Sequence, residues 1–141
     1  MITSKALNQL KGRWIYRSLV NNKVLNTPFA NLQFGLGTIE FKKIARGRIL
    51  DSSLDMGGNL ILIIGGEIAG AGGVISLKWR GTGVAGSPTA GWIYDYQAYL
   101  APNWKTATDK TPILIGSVLR VVAHGSAPAG VTGTFYMVKV G

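Results

Sequence analysis

His124, the one imidazole of the sequence, is the side chain best suited to acid–base or metal chemistry. It lies on a predicted turn beside Gly125, where it could serve as an axial haem ligand or as a general base for Ser117 or Ser126. A single His with six scattered Asp and Glu residues supplies neither a metal-ligand set nor a base oriented by a third group. The sequence therefore predicts no catalytic and no metal site, and it predicts that His124 is a turn residue hydrogen-bonded to backbone.

Five carboxylates fall in predicted strands: Glu40, Asp51, Asp55, Glu67 and Asp95. Two of them in one cavity could share a proton and act as acid and base. Strand carboxylates more often lie on the solvent face, and the two-residue period places Asp95 opposite the neighbouring aromatic side chains. We therefore expect that the protein is not an enzyme, and a small enzyme with a cavity carboxylate remains the second alternative.

Aromatic side chains are the strongest candidates for binding a ligand. Trp92, Tyr94 and Tyr96 alternate along one predicted strand and share a face, as Trp14 and Tyr16 do on the first strand. Flat rings stack on a ligand and hydroxyl groups orient it, so the predicted ligand-binding residues are Tyr16, Trp92, Tyr94 and Tyr96. Such rings could equally fill an eight-stranded barrel, so a solid core is the alternative.

The composition favours an all-β fold built from many short strands. The chain has 141 residues, of which 20 are Gly, and a hydrophobic fraction of 47%, with little helical patterning. One hydrophobic core is expected at this length, so residues 1–141 are predicted to form a single domain. Because the sequence has no Cys, disulfide and thiolate chemistry are excluded.

Alternating apolar and polar residues, interrupted by Gly, Pro and Asn, predict eight strands after a short helical turn. Thr3 is expected to cap this turn over residues 4–9. The strands are predicted at residues 12–20, 32–44, 48–56, 60–68, 74–80, 91–100, 112–122 and 131–140. Mostly hairpin-length connections indicate an antiparallel up-and-down β-barrel, with an open sandwich as the alternative. The candidate rims of an open end are residues 23–31, 81–90 and 103–111.

The chain is strongly basic, with 15 Lys and Arg residues and a formal net charge of +9. This charge raises the local concentration of acidic ligands, lipids or nucleic acid. The basic residues from Lys42 to Arg48 are expected to form a solvated face, and no nucleic-acid-binding signature accompanies them, so nucleic acid is not an expected partner. The apolar run at 60–64 is too short for a membrane helix and the first residues lack a signal-peptide core, so we expect a cytoplasmic protein.

The stretch Gly12-Arg13-Trp14 opens the first strand after a helical lead-in and thereby resembles the calycin group of lipocalin-like and avidin-like barrels. In lipocalins a basic side chain of a late strand packs on this Trp at the closed end, a cation–π contact of about 1 kcal/mol. The resemblance implies structural roles for Gly12 and Trp14 and assigns the basic side chain to Arg120. Residues 115–130 and 134–139 are similar to a family of small bacterial proteins of this barrel type, which has no established activity. The polar set with which avidins hold biotin has no counterpart after the first strand.

These patterns predict a lipocalin-like barrel that binds a small, largely apolar or acidic molecule at its open end. No cofactor is identified by the sequence. The first alternative is a structural protein, in which a solid barrel acts through homo-oligomerisation of its outer aromatic and glycine-rich strands. A homo-oligomer is the expected assembly.

Overall fold

The computed structural model describes residues 2–71, 74–101 and 111–141. Helix α1 (Ser4–Leu10) begins as predicted, because the Thr3 hydroxyl oxygen accepts a hydrogen bond of 3.2 Å from the Ala6 amide. The described strands are β1 (Gly12–Val20), β2 (Gln33–Phe41), β3 (Lys43–Ala45), β4 (Arg48–Met56), β5 (Asn59–Ala71), β6 (Val74–Gly83), β7 (Ile93–Leu100), β8 (Ile113–Arg120) and β9 (Thr132–Lys139).

The strands form one antiparallel sheet that closes on itself. Its order is β2-β1-β9-β8-β7-β6-β5-β4-β3, and the additional pairing of β2 with β4 joins the two sides of the sheet. In this pairing Ile39 lies opposite Leu54. Eight strands thus make an up-and-down barrel, which confirms the predicted fold class and excludes the open sandwich, while β3 is an additional short strand on β4.

The predicted strand at residues 32–44 is wrong in one respect, since the structure divides it into β2 and β3 at Lys42. The Lys42 amide donates to the Ser52 hydroxyl at 3.2 Å instead of to a strand carbonyl. On the partner strand, the neighbouring Asp51 has a φ of 44°, which is uncommon for a residue other than Gly. The strand is interrupted here, and β3 pairs with β4 from Lys43 to Ala45.

Side chains alternate between the interior and the solvent along each barrel strand. On β1, Trp14, Tyr16 and Ser18 are buried, whereas Arg13 and Arg17 are exposed. The buried side chains become smaller along β1, from Trp to Tyr to Ser. Their partners on β2 become smaller in the same direction, with Ile39 opposite Trp14 and glycines opposite the other two. The barrel is therefore filled at one end of these strands and has space at the other.

The filled end, which we call the helix end, is closed by α1 and Trp14. The indole Nε1 of Trp14 donates to the Leu10 carbonyl at 2.9 Å, and both side chains are fully buried. Lys139 donates from Nζ to the Gln9 carbonyl at 2.7 Å, which satisfies a carbonyl of the last turn of the helix. Gly12 has a φ of 127°, and a Cβ atom there would collide with the Gly141 carbonyl. Gly12 and Trp14 thus take part in closing the helix end.

The prediction that Arg120 packs on Trp14 is wrong. Leu119 pairs with Thr132 at the start of β9, whereas Trp14 pairs with Lys139 at the end of β9. Because β8 and β1 flank β9 on its two sides, the last residue of β8 lies at the end of the barrel opposite Trp14. The Arg120 guanidinium packs there on Phe34, 5.0 Å from the ring centroid.

Candidate functional site

A pocket of about 450 Å³ opens at the barrel end opposite α1, which we call the pocket end. Its lining comes from the last half of β1, the first half of β2, the β4–β5 hairpin, the first half of β7 and the end of β8. The lining residues are Tyr16, Ser18, Gln33, Phe34, Gly35, Leu36, Met56, Gly57, Asn59, Ile61, Trp92, Tyr94, Tyr96, Val118, Arg120 and His124. All four predicted ligand-binding residues are in this set, and that they bind a ligand stays a prediction.

Tyr16 and Tyr96 form the floor of the pocket. Their rings meet edge to face with centroids 6.2 Å apart, and Tyr96 stacks on Trp79 at 5.1 Å. Burial raises the pKa of each phenol well above the ordinary value. At Tyr16 a hydrogen bond with Ser18 lowers the pKa and partly offsets the effect of burial. The floor is therefore aromatic, uncharged, and able to donate hydrogen bonds.

Tyr94 occupies the rim, with its hydroxyl between two nitrogen atoms. Arg120 donates from Nε to Tyr94 Oη at 2.9 Å, and the same oxygen lies 2.7 Å from His124 Nε2. An arginine can only donate, so Oη accepts from Arg120. Oη donates to Nε2 when the neutral imidazole carries its proton on Nδ1, and it accepts from Nε2 in the other tautomer.

The imidazole of His124 stacks on Trp92 with ring centroids 4.1 Å apart and planes inclined by 16°. Partial burial lowers the pKa of His124, and the nearby charge of Arg120 lowers it further. Its backbone exchanges two hydrogen bonds with Ala127, so His124 lies at a turn. The ring is nevertheless part of the pocket, which the position of His124 in a predicted turn did not indicate.

Arg120 has its orientation fixed by three contacts. Besides the bond to Tyr94, Nη1 donates to the Pro128 carbonyl at 3.2 Å, and the guanidinium lies over Phe34. Within the described residues the one salt bridge joins Arg80 to Asp95, so Arg120 has no carboxylate partner there. The pocket consequently contains a fixed positive charge that the described protein does not neutralise.

Asp95 lies on the outer face, as its alternation with the aromatic residues predicted. Arg80 donates to both of its carboxylate oxygens, at 2.7 and 2.9 Å, and this contact lowers the pKa of Asp95. None of the described lining residues is Asp or Glu, so the cavity carboxylate of the enzyme hypothesis is missing from that lining. No group of three or more potential metal ligands occurs in the described parts of the chain.

Phe34 is a lining residue that sequence alternation could not have found. It lies two residues before the exposed Leu36, so the two-residue period of a strand predicts an outward side chain. The register between β1 and β2 shifts at Ser18 and Leu19, so Phe34 is left unpaired in a β-bulge. Its ring turns over the pocket and meets Tyr94 edge to face at 6.1 Å.

The rim differs from the three predicted loops. The described lining takes no residue from 23–31 or 81–90, whereas the β8–β9 loop contributes His124. Apart from Thr111, the predicted rim 103–111 lies outside the described residues, and the flanking strands β7 and β8 meet at the helix end.

The two-residue period could have placed Arg120 on the inward face of β8, since it shares that face with the buried Leu114 and Val118.

No known protein family, curated protein or solved structure matches this chain. Its function must therefore be argued from the pocket itself. The described residues include no helix with the length and apolar character needed to cross a membrane.

Proposed function

We propose that this protein is a non-enzymatic, lipocalin-like barrel that binds a small, largely apolar or acidic molecule in the pocket. One observation carries the proposal: the pocket of about 450 Å³ has an aromatic floor and an arginine without a carboxylate partner among the described residues. Apolar and aromatic walls with a few convergent polar groups are typical of small-molecule sites of this size.

The space results from small side chains on one wall of the barrel. Ser18 pairs with Gly35 at the pocket end, and Tyr16 pairs with Gly37. A Cβ atom on Gly35 would lie 3.1–3.4 Å from the side chains of Met56, Ser18 and Tyr16. Replacing Gly35 by a larger residue therefore narrows the pocket without requiring a positive φ.

Calorimetric titration with a ring-shaped probe such as naphthoate tests this function. We expect binding to the unmodified protein and its loss in Gly35→Leu, whose side chain enters the pocket. Gly65→Leu is the matched control, because Gly65 is also a strand glycine and a Cβ atom there has no neighbour within 4 Å. Native mass spectrometry of protein from its own source is expected to show a copurifying mass that the Gly35→Leu variant does not retain.

Two results would contradict the proposal. The first is the absence of binding for every probe tested, and the second is binding that Gly35→Leu leaves unchanged. A thermal unfolding curve for each variant separates loss of the pocket from loss of the fold.

The second candidate function is assembly through the outer face of the barrel. Tyr99, Ile115 and Tyr136 lie side by side on β7, β8 and β9, and Ile15 lies on β1 in the next row of that face. Tyr99, Tyr136 and Ile15 are 43–45% exposed although they are large and apolar or aromatic. Clustered exposure of this kind favours a protein–protein contact.

Sedimentation velocity over a range of concentrations tests the assembly. Tyr136→Lys is expected to shift the protein toward the monomer if the face joins two copies. Ser117→Lys is the control, because it places the same charge on the outer face of β8 beside the apolar rows. A monomer at the highest concentration, or equal effects of both variants, would rule out this candidate.

A further inference from the structure

The hydrogen-bond donors of the pocket are concentrated around the guanidinium of Arg120. Nε is engaged by Tyr94 and Nη1 by the Pro128 carbonyl, while Nη2 has no hydrogen-bond partner in the described part of the chain. Phe34 covers one face of the group at 5.0 Å. A planar cation held in this way loses little further side-chain freedom when it binds a planar acid group.

The charge of this region matches a single negative charge. Arg120 is half-buried, and no carboxylate is present in the described lining. An unpaired cation out of water is unfavourable, so an anionic partner is strongly preferred over a neutral one. Because burial and the charge of Arg120 lower the pKa of His124, its imidazole adds no second charge at neutral pH.

The pocket is too shallow for a long chain. Below Tyr16 and Tyr96 the barrel is filled by Trp79 and Phe135, whose ring centroids lie 6.0 Å apart. Phe135 packs on both tyrosines, and Trp79 stacks on Tyr96. A volume of about 450 Å³ lies toward the small end of the range for ligand pockets, which is about 300–1,000 Å³. This space suits a compact ring system, and the aromatic floor offers edge-to-face contacts to it.

We propose that the ligand is a compact aromatic acid with one negative charge, whose acid group binds the Arg120 guanidinium and whose ring packs against Tyr16 and Tyr96. This inference rests on the proposed function, namely that the pocket binds a small molecule. It adds the chemical class of that molecule and its orientation, with the acid group at the rim and the ring inward.

Four probes test the class by calorimetry at about pH 8, where His124 is neutral. Naphthoate, naphthamide and naphthylmethylammonium share one ring and differ in charge, while decanoate has the acid group on a long flexible chain. Naphthoate is expected to bind about 10- to 100-fold more tightly than naphthamide, as is typical for a hydrogen bond with a charged partner. Naphthylmethylammonium and decanoate are expected to bind more weakly than naphthoate.

Two substitutions assign the preference to Arg120. Arg120→Gln is expected to bring the affinities for naphthoate and naphthamide to within about threefold of each other. Arg120→Lys retains the charge without the planar donor set, and it is expected to keep the order of the probes with a smaller ratio. Arg17→Gln is the matched control, because Arg17 is exposed on the outer face of β1 and the same charge is lost there.

The inference is overturned if unmodified protein binds naphthamide or decanoate as tightly as naphthoate, or if Arg17→Gln changes the ratio as much as Arg120→Gln. In these cases the proposed function still stands, provided that Gly35→Leu abolishes binding. If no probe binds, or if Gly35→Leu has no effect, the proposed function itself fails. Should Arg120→Gln not fold, the comparison of the four probes and Arg120→Lys decide the question.

Discussion

The two ends of the barrel are built from the same strands but differ in how completely side chains fill them. At the helix end the inward side chains are large: Trp14 on β1 meets Phe41 on β2 edge to face, and Phe41 meets Trp79 on β6 at 5.6 Å. At the pocket end β1 and β2 contribute small residues instead, and Ser18 pairs there with Gly35. Both line the pocket together with Tyr94 and Tyr96 of β7.

This difference shows how one barrel combines stability with an open site. At the helix end the ring of Trp14 packs edge to face on Phe41, and its indole proton has an acceptor in Leu10. At the pocket end, the Tyr94 hydroxyl bonds to both Arg120 and His124 beside an open volume. We therefore expect substitutions at the helix end to act mainly on stability and substitutions at the pocket end mainly on binding.

The largest effect is expected for Trp14→Ala, which removes a fully buried ring from the helix end. The free energy of unfolding should fall by about 3–5 kcal/mol in chemical denaturation. Trp92→Ala is the comparison at the pocket end, where the half-buried ring stacks on His124, and it should lose no more than about 2 kcal/mol. Equal losses would contradict the division of the barrel into a packed and an open end.

A smaller loss of stability is expected for Gly12→Ala. Its φ of 127° disfavours Ala, and the added Cβ atom would displace the Gly141 backbone, so a loss of about 3 kcal/mol is expected. Gly86→Ala is the matched change in a loop of the pocket end. Gly86 has a φ of 78° with no neighbour within 4 Å, so strain alone remains and the loss should be about 1 kcal/mol. If Gly12→Ala and Gly86→Ala have the same denaturation midpoint, close packing at the helix end is not the reason that glycine is required at position 12.

Tyr94→Phe should separate stability from binding at the pocket end. It removes the hydroxyl that joins Arg120 to His124, which should lower the free energy of unfolding by only about 1 kcal/mol. Affinity for naphthoate should fall about 3- to 10-fold, because Arg120 is no longer held in one orientation. Tyr99→Phe on the outer face should change neither quantity. A variant that loses stability and keeps its affinity would show that Tyr94 does not position Arg120.

The sequence predicted most of the wall of the barrel and only part of the site. Alternation placed Tyr94 and Tyr96 on one face of their strand, and the structure shows that this face and the Tyr16 face of β1 point inward. Phe34 escaped prediction since a bulge reverses its direction, and bulges depend on the pairing of two strands rather than on one segment. Arg120 was assigned to the wrong end by resemblance, although its spacing of two residues from Val118 already indicated an inward side chain.

The closure of the barrel and the place of His124 depend on contacts between residues far apart in the chain. Pairing of β1 with β9, in which Trp14 lies opposite Lys139, follows from the coiling of the whole sheet, which local patterns do not contain. His124 reaches Tyr94 because the β8–β9 loop folds back across the rim, 30 residues away along the sequence. Composition marked this loop as a turn, and the ring stacking on Trp92 gave it a role in the pocket.

The smallest expected effect is a pH dependence of binding that is confined to the pocket end. The titratable or charged groups that face His124 in the described structure are Tyr94 and Arg120. As the pH falls through the lowered pKa of His124, below about 6.5, the imidazole gains a positive charge beside Arg120 and should strengthen the binding of an anion. Naphthalene sulfonate, which stays ionised, is the suitable probe for titrations from about pH 8 to about pH 5.

The same protonation should act on stability with the opposite sign. Because the pKa of His124 is lowered by folding, the folded protein takes up this proton less readily than the unfolded chain does. The contribution of His124 to stability is therefore complete above about pH 6.5 and declines as the pH falls through that value toward the lowered pKa. In His124→Gln both the rise in naphthalene sulfonate affinity and the decline in stability at low pH should disappear. Trp14→Ala should instead lower stability equally between about pH 8 and about pH 5. If His124→Gln keeps the rise in affinity at low pH, the second charge does not come from this imidazole.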